Sequence, residues 1–425
     1  MTTRGKSFAL LRTALACLAL TPALAAALLA LLAVTHMIPD RLIAKNIAVD
    51  PSLLDTPRPY SFSGRKIDVG SECIGVSYGL GADDLPPLEA AALSPVLFDC
   101  DALRSFVDGA GGDSGPYIPY WHGYAAISRP LLAMIPYHDL KMLTFNAMAI
   151  LFAFLALGLA RRAGARFAFA ALLPFFFVNY SGSFELWTKA APWMVMLVVA
   201  NIIVRTRWTG ERRPFLLFYF AGAATAFLDM LSTPLLVFGF PAALYSLLAL
   251  EEDDDGGRGQ IARLALIGGF WTIGYAGIWL MKPAMAAAFL GSEVWADFAG
   301  NAAFRLNGAF DSVKHFPGAA TLENLEAFKG FWGALAIITF FIAPFLRRDG
   351  RSRLGALIRR APATALIALS PFAWYEILSN HSQIHGLFTH ANLVLTFLPS
   401  SLLLIGADKV PFLAGPRRTR SAAAE

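Results

Sequence analysis

The sequence predicts an all-α integral membrane protein with about ten transmembrane helices and a long first extracytoplasmic loop. Three observations predict it. Of the 425 residues, 56% are hydrophobic and only 15% are charged, where a soluble domain carries about 25% charged residues. That deficit, with a mean hydropathy of +0.55, excludes a soluble globular domain and, more firmly, a disordered chain. Second, the apolar residues fall in runs, several of them long enough to cross a bilayer. Third, Lys and Arg collect in short clusters between those runs, on alternate connections. The net charge of +5 therefore reads as a positive-inside pattern, and no nucleic-acid partner is expected. Three Cys are too few for a disulfide framework or a four-Cys metal site.

Residues 1–36 read as an anchor helix. Arg4, Lys6 and Arg12 precede an apolar run from Ala14 to Val34, longer than the roughly 7–15 residues of a signal peptide core. It is expected to stay uncleaved, with the N-terminus in the cytoplasm. Nine further runs follow, at about 140–160, 167–181, 191–204, 215–229, 234–250, 261–281, 329–346, 362–379 and 391–408. The second, third and fourth of these nine are short, so their ends must recruit flanking polar residues. Asp229, with Pro234 close behind, divides a stretch too long for one helix and marks a tight turn. Residues 37–139 then form the first extracytoplasmic loop and 140–281 the second to seventh spans. Residues 282–328 form a second large outer loop, 329–408 the last three spans and 409–425 a cytoplasmic tail.

The charges agree with this count. Arg161, Arg162 and Arg166 share the N-terminal side with Arg205, Arg207, Arg212 and Arg213. Arg258 and Arg263 fall there too, as do the six arginines between Arg347 and Arg360 and the trio Arg417, Arg418 and Arg420. The short loops opposite hold one basic residue, Lys189. The acidic run Glu251–Asp255 contributes little to orientation and reads as a solvated loop. The Ala- and Arg-rich composition points to a high-GC bacterium, hence to an inner membrane.

The first loop opens with Ile38–Ile47, whose helical spacing and mixed charges suit a helix lying on the membrane surface. Cys73 and Cys100 both lie in this loop. In an oxidising compartment they can pair; the alternative is two separate buried thiols. Cys17 reads as apolar packing within the first span. No internal repeat, Walker motif or GxGxxG loop occurs, which argues against an ATP-driven pump with its own motor.

All seven His residues fall on the outer side in this count, with Glu185, Asp229 and Lys282. Ionisable groups at membrane depth are costly and so point to function; the bland alternative is residues reaching interfacial water. Tyr120-Trp121-His122-Gly123-Tyr124, followed by Arg129, offers aromatic faces for sugar rings and a permanent cationic fork for a phosphate, or else an aromatic belt. Asp229 sits between two hydrophobic halves, as a functional carboxylate or a helix cap. Tyr275 and Trp279 lead to Lys282, a second aromatic-plus-cation exit or a second anchor. His381 and His385, four apart with His390 after them, share a helix face and are spaced for a metal. No Glu stands beside them in the metalloprotease arrangement, so a polar ligand is the preferred partner and no metal site is assigned.

The first loop also supplies acids: Asp68 and Glu72, Asp83 and Asp84, Asp99 and Asp101. Sugar transfer needs a base for the acceptor proton and a cation or metal at the leaving phosphate. Asp68 and Glu72 are the preferred candidates, because Ile67, Val69, Ile74 and Val76 around them favour burial and a raised carboxyl pKa. Asp83-Asp84, beside Leu-Pro-Pro, reads as an exposed turn, and a solvated loop charge is the alternative for every one of these acids.

In organisation the chain resembles the GT-C class of polytopic membrane glycosyltransferases. The strings YWHGYAAISRPLL, FLDMLSTPLL, GYAGIWLMKP and SNHSQIHGLFTH also resemble those of a group of uncharacterised bacterial polytopic membrane proteins. The resemblance implies an outer-face site, a polyprenyl-phosphate sugar donor and a glycan, lipid or protein acceptor. It makes Glu72 or Asp68 the base and Arg129 and Lys282 the holders of the donor phosphate. Tyr120, Trp121 and His122 would line the sugar site, and Glu185, Asp229, His381 and His385 would bind donor or acceptor hydroxyls. A divalent cation stays open as an aid to the leaving phosphate. The chain departs from the class in having no acidic dyad directly after the first span, where only Asp40 is close. The competing expectation is a transporter or flippase of a lipid-linked or polar substrate, with Asp229 and Lys282 as contacts. A non-catalytic assembly protein is the third.

Overall fold

The computed structural model describes residues 3–49, 53–54, 67–178, 180–208, 213–251, 256–346 and 350–405. Arg212, Arg347, Arg348, most of the acidic run and the whole tail 409–425 lie outside the described residues. The anchor is one helix, α1 (Thr3–Thr35). Residues 37–139, expected as a loop, carry α2 (Asp40–Ala48), α3 (Val69–Val76), α4 (Pro87–Leu93), β1 (Pro95–Leu97), α5 (Cys100–Val107), β2 (Ser114–Pro116) and α6 (Ala125–Leu132). The two strands pair antiparallel, Val96 opposite Gly115. Pro39 sets the extended entry to α2. Ile43 and Ile47 of that helix are fully buried in a protein core. This corrects the surface-helix expectation: the apolar face of α2 packs on the protein and not on lipid. Asp68 and Asp99 cap α3 and α5, accepting from the Ser71 and Ala102 amides at 3.1 and 2.7 Å. Cys73 of α3 and Cys100 of α5 form a disulfide, and Asp83 and Asp84 are exposed.

The rest of the chain is helical. It runs through α7 (Tyr137–Ala163), α8 (Ala165–Leu172) with a 3-10 extension Leu173–Phe177, α9 (Tyr180–Glu185), α10 (Trp187–Arg205), α11 (Arg213–Leu228), α12 (Pro234–Leu248) and α13 (Gly256–Leu290). It continues through α14 (Val294–Asn307), α15 (Ala319–Glu326) and α16 (Phe331–Ile337), which passes through a π turn into α17 (Ala343–Leu346). It closes with α18 (Gly350–Arg360), α19 (Pro362–Ile377), α20 (Ser379–Ile384), α21 (Gly386–Thr389) and α22 (Leu393–Ile405).

Among the described residues each of the ten apolar windows is predominantly helical. Among the described residues five stretches are long and apolar enough to cross a membrane: Phe8–Thr35, Tyr137–Ala163, Trp187–Arg205, Arg258–Leu290 and Gly386–Ile405. Four more, Ala165–Phe177, Arg213–Leu228, Pro234–Leu248 and Gly333–Leu346, are apolar but shorter. Only 28% and 22% of the most apolar windows of α1 and α7 are buried, against 72% for α10 and for the stretch ending in α22. The first two therefore flank a core centred on the last two. α11 and α13 cross with their backbones in contact. A Cβ at Gly222 would lie 2.1 Å from the Trp271 carbonyl oxygen, and one at Gly274 2.1 Å from that of Tyr219. Such small-residue crossings are how apolar helices pack closely without a hydrophobic drive between them.

The C-terminal ends of α1, α11 and α13 and the N-terminal ends of α7, α10 and α12 meet residues 67–132 or the segment 379–392. Gly123 donates to Phe227 O at 2.8 Å, and the Leu236 amide to Asn392 Oδ1 at 3.1 Å. This end of the bundle gathers most of the polar residues singled out above.

Candidate functional site

Asp68 precedes α3 and Glu72 lies one turn on, so the two carboxylates share a face. Their surroundings separate them. Glu72 is fully buried. Its Oε1 accepts from the Tyr137 hydroxyl and the Trp187 amide, both at 2.9 Å, and its Oε2 from the Thr188 amide at 3.0 Å and hydroxyl at 2.6 Å. Leu186, at the N-cap of α10, has no side chain able to cap. Glu72 therefore closes that helix N-terminus from another segment, where a negative charge is favoured. With four donors on two oxygens it is not a free base, which corrects that expectation.

Asp68 faces an opening lined also by Ile67, Ser183, Lys189, Phe388 and His390. Its Oδ2 lies 3.4 Å from Lys189 Nζ, and its carboxylate accepts from the Ser71 amide and hydroxyl. Burial pushes the Asp68 carboxyl up, but Lys189 and the Ser71 bonds together outweigh it and hold it below its usual value. The Lys189 ammonium also sits 3.6 Å over the Phe388 ring.

The turn between α11 and α12 is the one Asp229 predicts. Asp229 Oδ1 accepts from the Ser232 amide at 2.9 Å and from its hydroxyl. Leu231 takes φ 64°, in the left-handed region. Its carbonyl accepts from His381 Nε2 of α20 at 2.8 Å. Asp229 Oδ2 and His381 Nδ1 are buried without a hydrogen bond. Burial pushes Asp229 up to about 6, with Ser232 working against it. The His381 and His385 rings lie 4.7 Å apart, and His385 stacks on Phe388 at 5.1 Å. Burial, then the Lys189 charge, holds His385 down at about 4. Among the described residues no three His, Cys, Asp or Glu side chains come together as a metal site.

Leu231 also borders a cavity of about 300 Å³ between α13, α14 and α19, walled by Tyr120, Tyr275, Trp279, Phe298 and Trp374. Arg305 is the one charged residue of its lining. The guanidinium donates toward the Tyr117 hydroxyl at 3.4 Å. The charges of both Lys189 and Arg305 act on His381 and His385.

Of the aromatic string only Tyr120 lines this cavity. Trp121 is fully buried and donates from Nε1 to Ile278 O at 2.8 Å. His122 is buried with Nδ1 2.6 Å from the Tyr124 hydroxyl. Arg129 pairs with Asp40 at 2.9 Å and donates to the carbonyls of Tyr78 at 2.7 Å and Thr35 at 3.2 Å. Lys282 lies inside α13, not at its exit, donating to Ala91 O at 2.7 Å and Ser94 Oγ at 2.6 Å, 5.4 Å from the Trp121 ring. Arg129 and Lys282 thus fasten residues 37–139 to α1 and α13. Both are fully engaged in the interior, which corrects their reading as phosphate holders. Glu185 ends α9 half-buried and lines neither opening. Two cations of these openings, Lys189 and Arg305, are not among the site residues the sequence suggests. Lys189 left a signal, as the one basic residue of the short outer loops; Arg305, one Arg among the apolar and small residues of α14, left little. No protein-family model, curated protein or solved structure matches the chain.

Proposed function

We propose that the chain is a polytopic membrane glycosyltransferase of the GT-C kind. In this reading it crosses a bacterial inner membrane ten times with both termini cytoplasmic. It moves a sugar from a polyprenyl-phosphate donor to a glycan, lipid or protein acceptor at the extracytoplasmic face. One observation carries the reading: two imidazoles 4.7 Å apart, His381 and His385, stand between an aromatic cavity lined by a single guanidinium, whose Leu231 carbonyl His381 meets, and the opening lined by the Lys-paired carboxylate Asp68 and by Phe388, on which His385 stacks. The helical folding of the described residues of the apolar windows and the collection of polar groups at one end of the bundle support it.

Asp68 takes the proton of the acceptor hydroxyl as that oxygen bonds to the anomeric carbon. The bond from this carbon to the phosphate oxygen breaks, and its electron pair leaves with the phosphate. Arg305 offers the leaving phosphate a planar donor fork, the role the GT-C resemblance implies for Arg129 and Lys282. The aromatic walls suit the isoprenoid and the faces of a sugar ring. Asp229 Oδ2 and His381 Nδ1, buried and unbonded, are costly unless a ligand meets them, and sugar hydroxyls are suited to both. His385 remains neutral near physiological pH and able to accept or donate one hydrogen bond.

The test is incubation of the purified protein with polyprenyl-phosphate sugars and measurement of released polyprenyl phosphate. Release is expected in the wild type and lost in Asp68→Asn and Arg305→Met. Release at the wild-type rate in Asp68→Asn overturns Asp68 as base. Vesicle transport of the lipid-linked substrate without sugar release favours the transporter or flippase.

A further inference from the structure

α3 meets the first turn of α10 along one stripe, Asp68, Glu72 and Gly75, spaced four and three residues apart as one helix face requires. These three touch three consecutive residues of α10. Gly75 lies against Thr188, where a Cβ would come within 2.1 Å of Thr188 Cγ2. Glu72 takes the Trp187 and Thr188 amides. Asp68 meets Lys189. On its other side α3 is tied to α5 through Cys73 and Cys100.

We infer that Glu72 is a positioning residue, which by capping α10 from α3 sets Asp68 opposite Lys189. An ion pair between two unrestrained side chains contributes little, and Lys189 is long enough to turn elsewhere. Asp68 is short and fastened to Ser71, so its separation from Lys189 follows the register of α3 on α10. A slip of one residue moves a helix by about 1.5 Å along its axis, enough to part a pair now at 3.4 Å. Glu72 resists that slip because two amides of α10, with no other side-chain cap available, donate to this carboxylate. The inference deepens the reading of Asp68 as base and rests on it for its bearing on transfer, but the arrangement is testable without any sugar.

The experiment acylates the full-length protein in detergent with an amine-reactive ester and follows Lys189 by peptide mass spectrometry. Lys282, equally buried but fastened elsewhere, is the internal control for loss of fold. Asp68→Asn and Glu72→Ala should each raise Lys189 acylation about fivefold with Lys282 unchanged, and the double variant should exceed Asp68→Asn by less than about twofold. Glu72→Gln, which keeps one oxygen for one of the two amides and sets its NH2 against the other, should raise Lys189 acylation by less than Glu72→Ala does. Should Glu72→Ala fail to fold, Gly75→Ala displaces α3 by a different route and must raise Lys189 alone. The inference is overturned if Lys189 reacts at the wild-type rate in the variant that folds, if Lys189 and Lys282 rise together, or if the Asp68 and Glu72 effects multiply. The predicted pattern without sugar transfer would keep the positioning role and discard the glycosyltransferase.

Discussion

His385 titrates against the fold. Burial, then Lys189, holds its imidazole at about 4 against an ordinary 6.5, with Asp68 pulling the other way. A histidine depressed in the folded state contributes its full share of stability above the unfolded value of 6.5 and loses it as pH falls toward 4. The gap, 6.5 minus about 4, corresponds to on the order of 3 kcal/mol. By pH 4.5 most of that, on the order of 2.5 kcal/mol, has gone. His385→Asn is polar, of similar reach and without a titrating proton. The assay is unfolding in detergent, followed by tryptophan fluorescence, at pH 7.5, 6.0 and 4.5. His36 and His122, each held at about 3 by burial, load the same acid window in both proteins, while His381, held down by burial and then by His385, shifts with the substitution, so the difference reads the His381–His385 pair. Wild type should lose more stability than the variant between pH 7.5 and 4.5, by the amount above, and the difference should be constant above pH 7. Parallel pH curves for the two proteins would refute the reasoning.

Three further outcomes follow from the same contacts. Asp40→Asn leaves the Arg129 charge buried without its carboxylate, which should cost about 3–5 kcal/mol and show as lost monodisperse protein on size-exclusion; a normal yield and melting point would contradict the fastening role. Replacing Cys73 and Cys100 by Ser removes a bridge across a separation of 27 residues, worth about 3.5 kcal/mol in the loop-entropy account. Reductant should then lower the melting point of wild type and leave that of the double variant unmoved. Arg305→Met keeps the cavity apolar and removes its lining cation. Polyprenyl phosphate, read by quenching of Trp279 and Trp374, should bind about tenfold more weakly while the uncharged polyprenol binds as before; equal loss of both would point to a collapsed cavity and refute a phosphate contact.

Some of the candidate site was legible before the fold was seen. The turn at Asp229 follows from a charge and a proline breaking one apolar stretch, whereas the capping of α3 and α5 by Asp68 and Asp99 emerges only in the structure. Pairing of Cys73 with Cys100 was one of two open alternatives, because a shared loop does not supply the approach of two Cα atoms. The roles of the charged groups were misread most. Glu72 and Asp68 look alike in sequence, yet one is buried capping a distant helix and the other, capping its own, faces an opening. Arg129 and Lys282 carry the same charge as Arg305, yet two are bound by interior carbonyls and the third lines a cavity.

The chain by itself determined a helical, apolar protein with its polar groups spaced between the runs, because backbone saturation in lipid and the length of an apolar run are properties of neighbouring residues. Only the tertiary structure decided which charges are fasteners and which remain for chemistry. A charge is defined by its partner, and the partners stand far off in sequence: Asp40 is 89 residues from Arg129, Glu72 116 from Thr188, and Ala91 191 from Lys282.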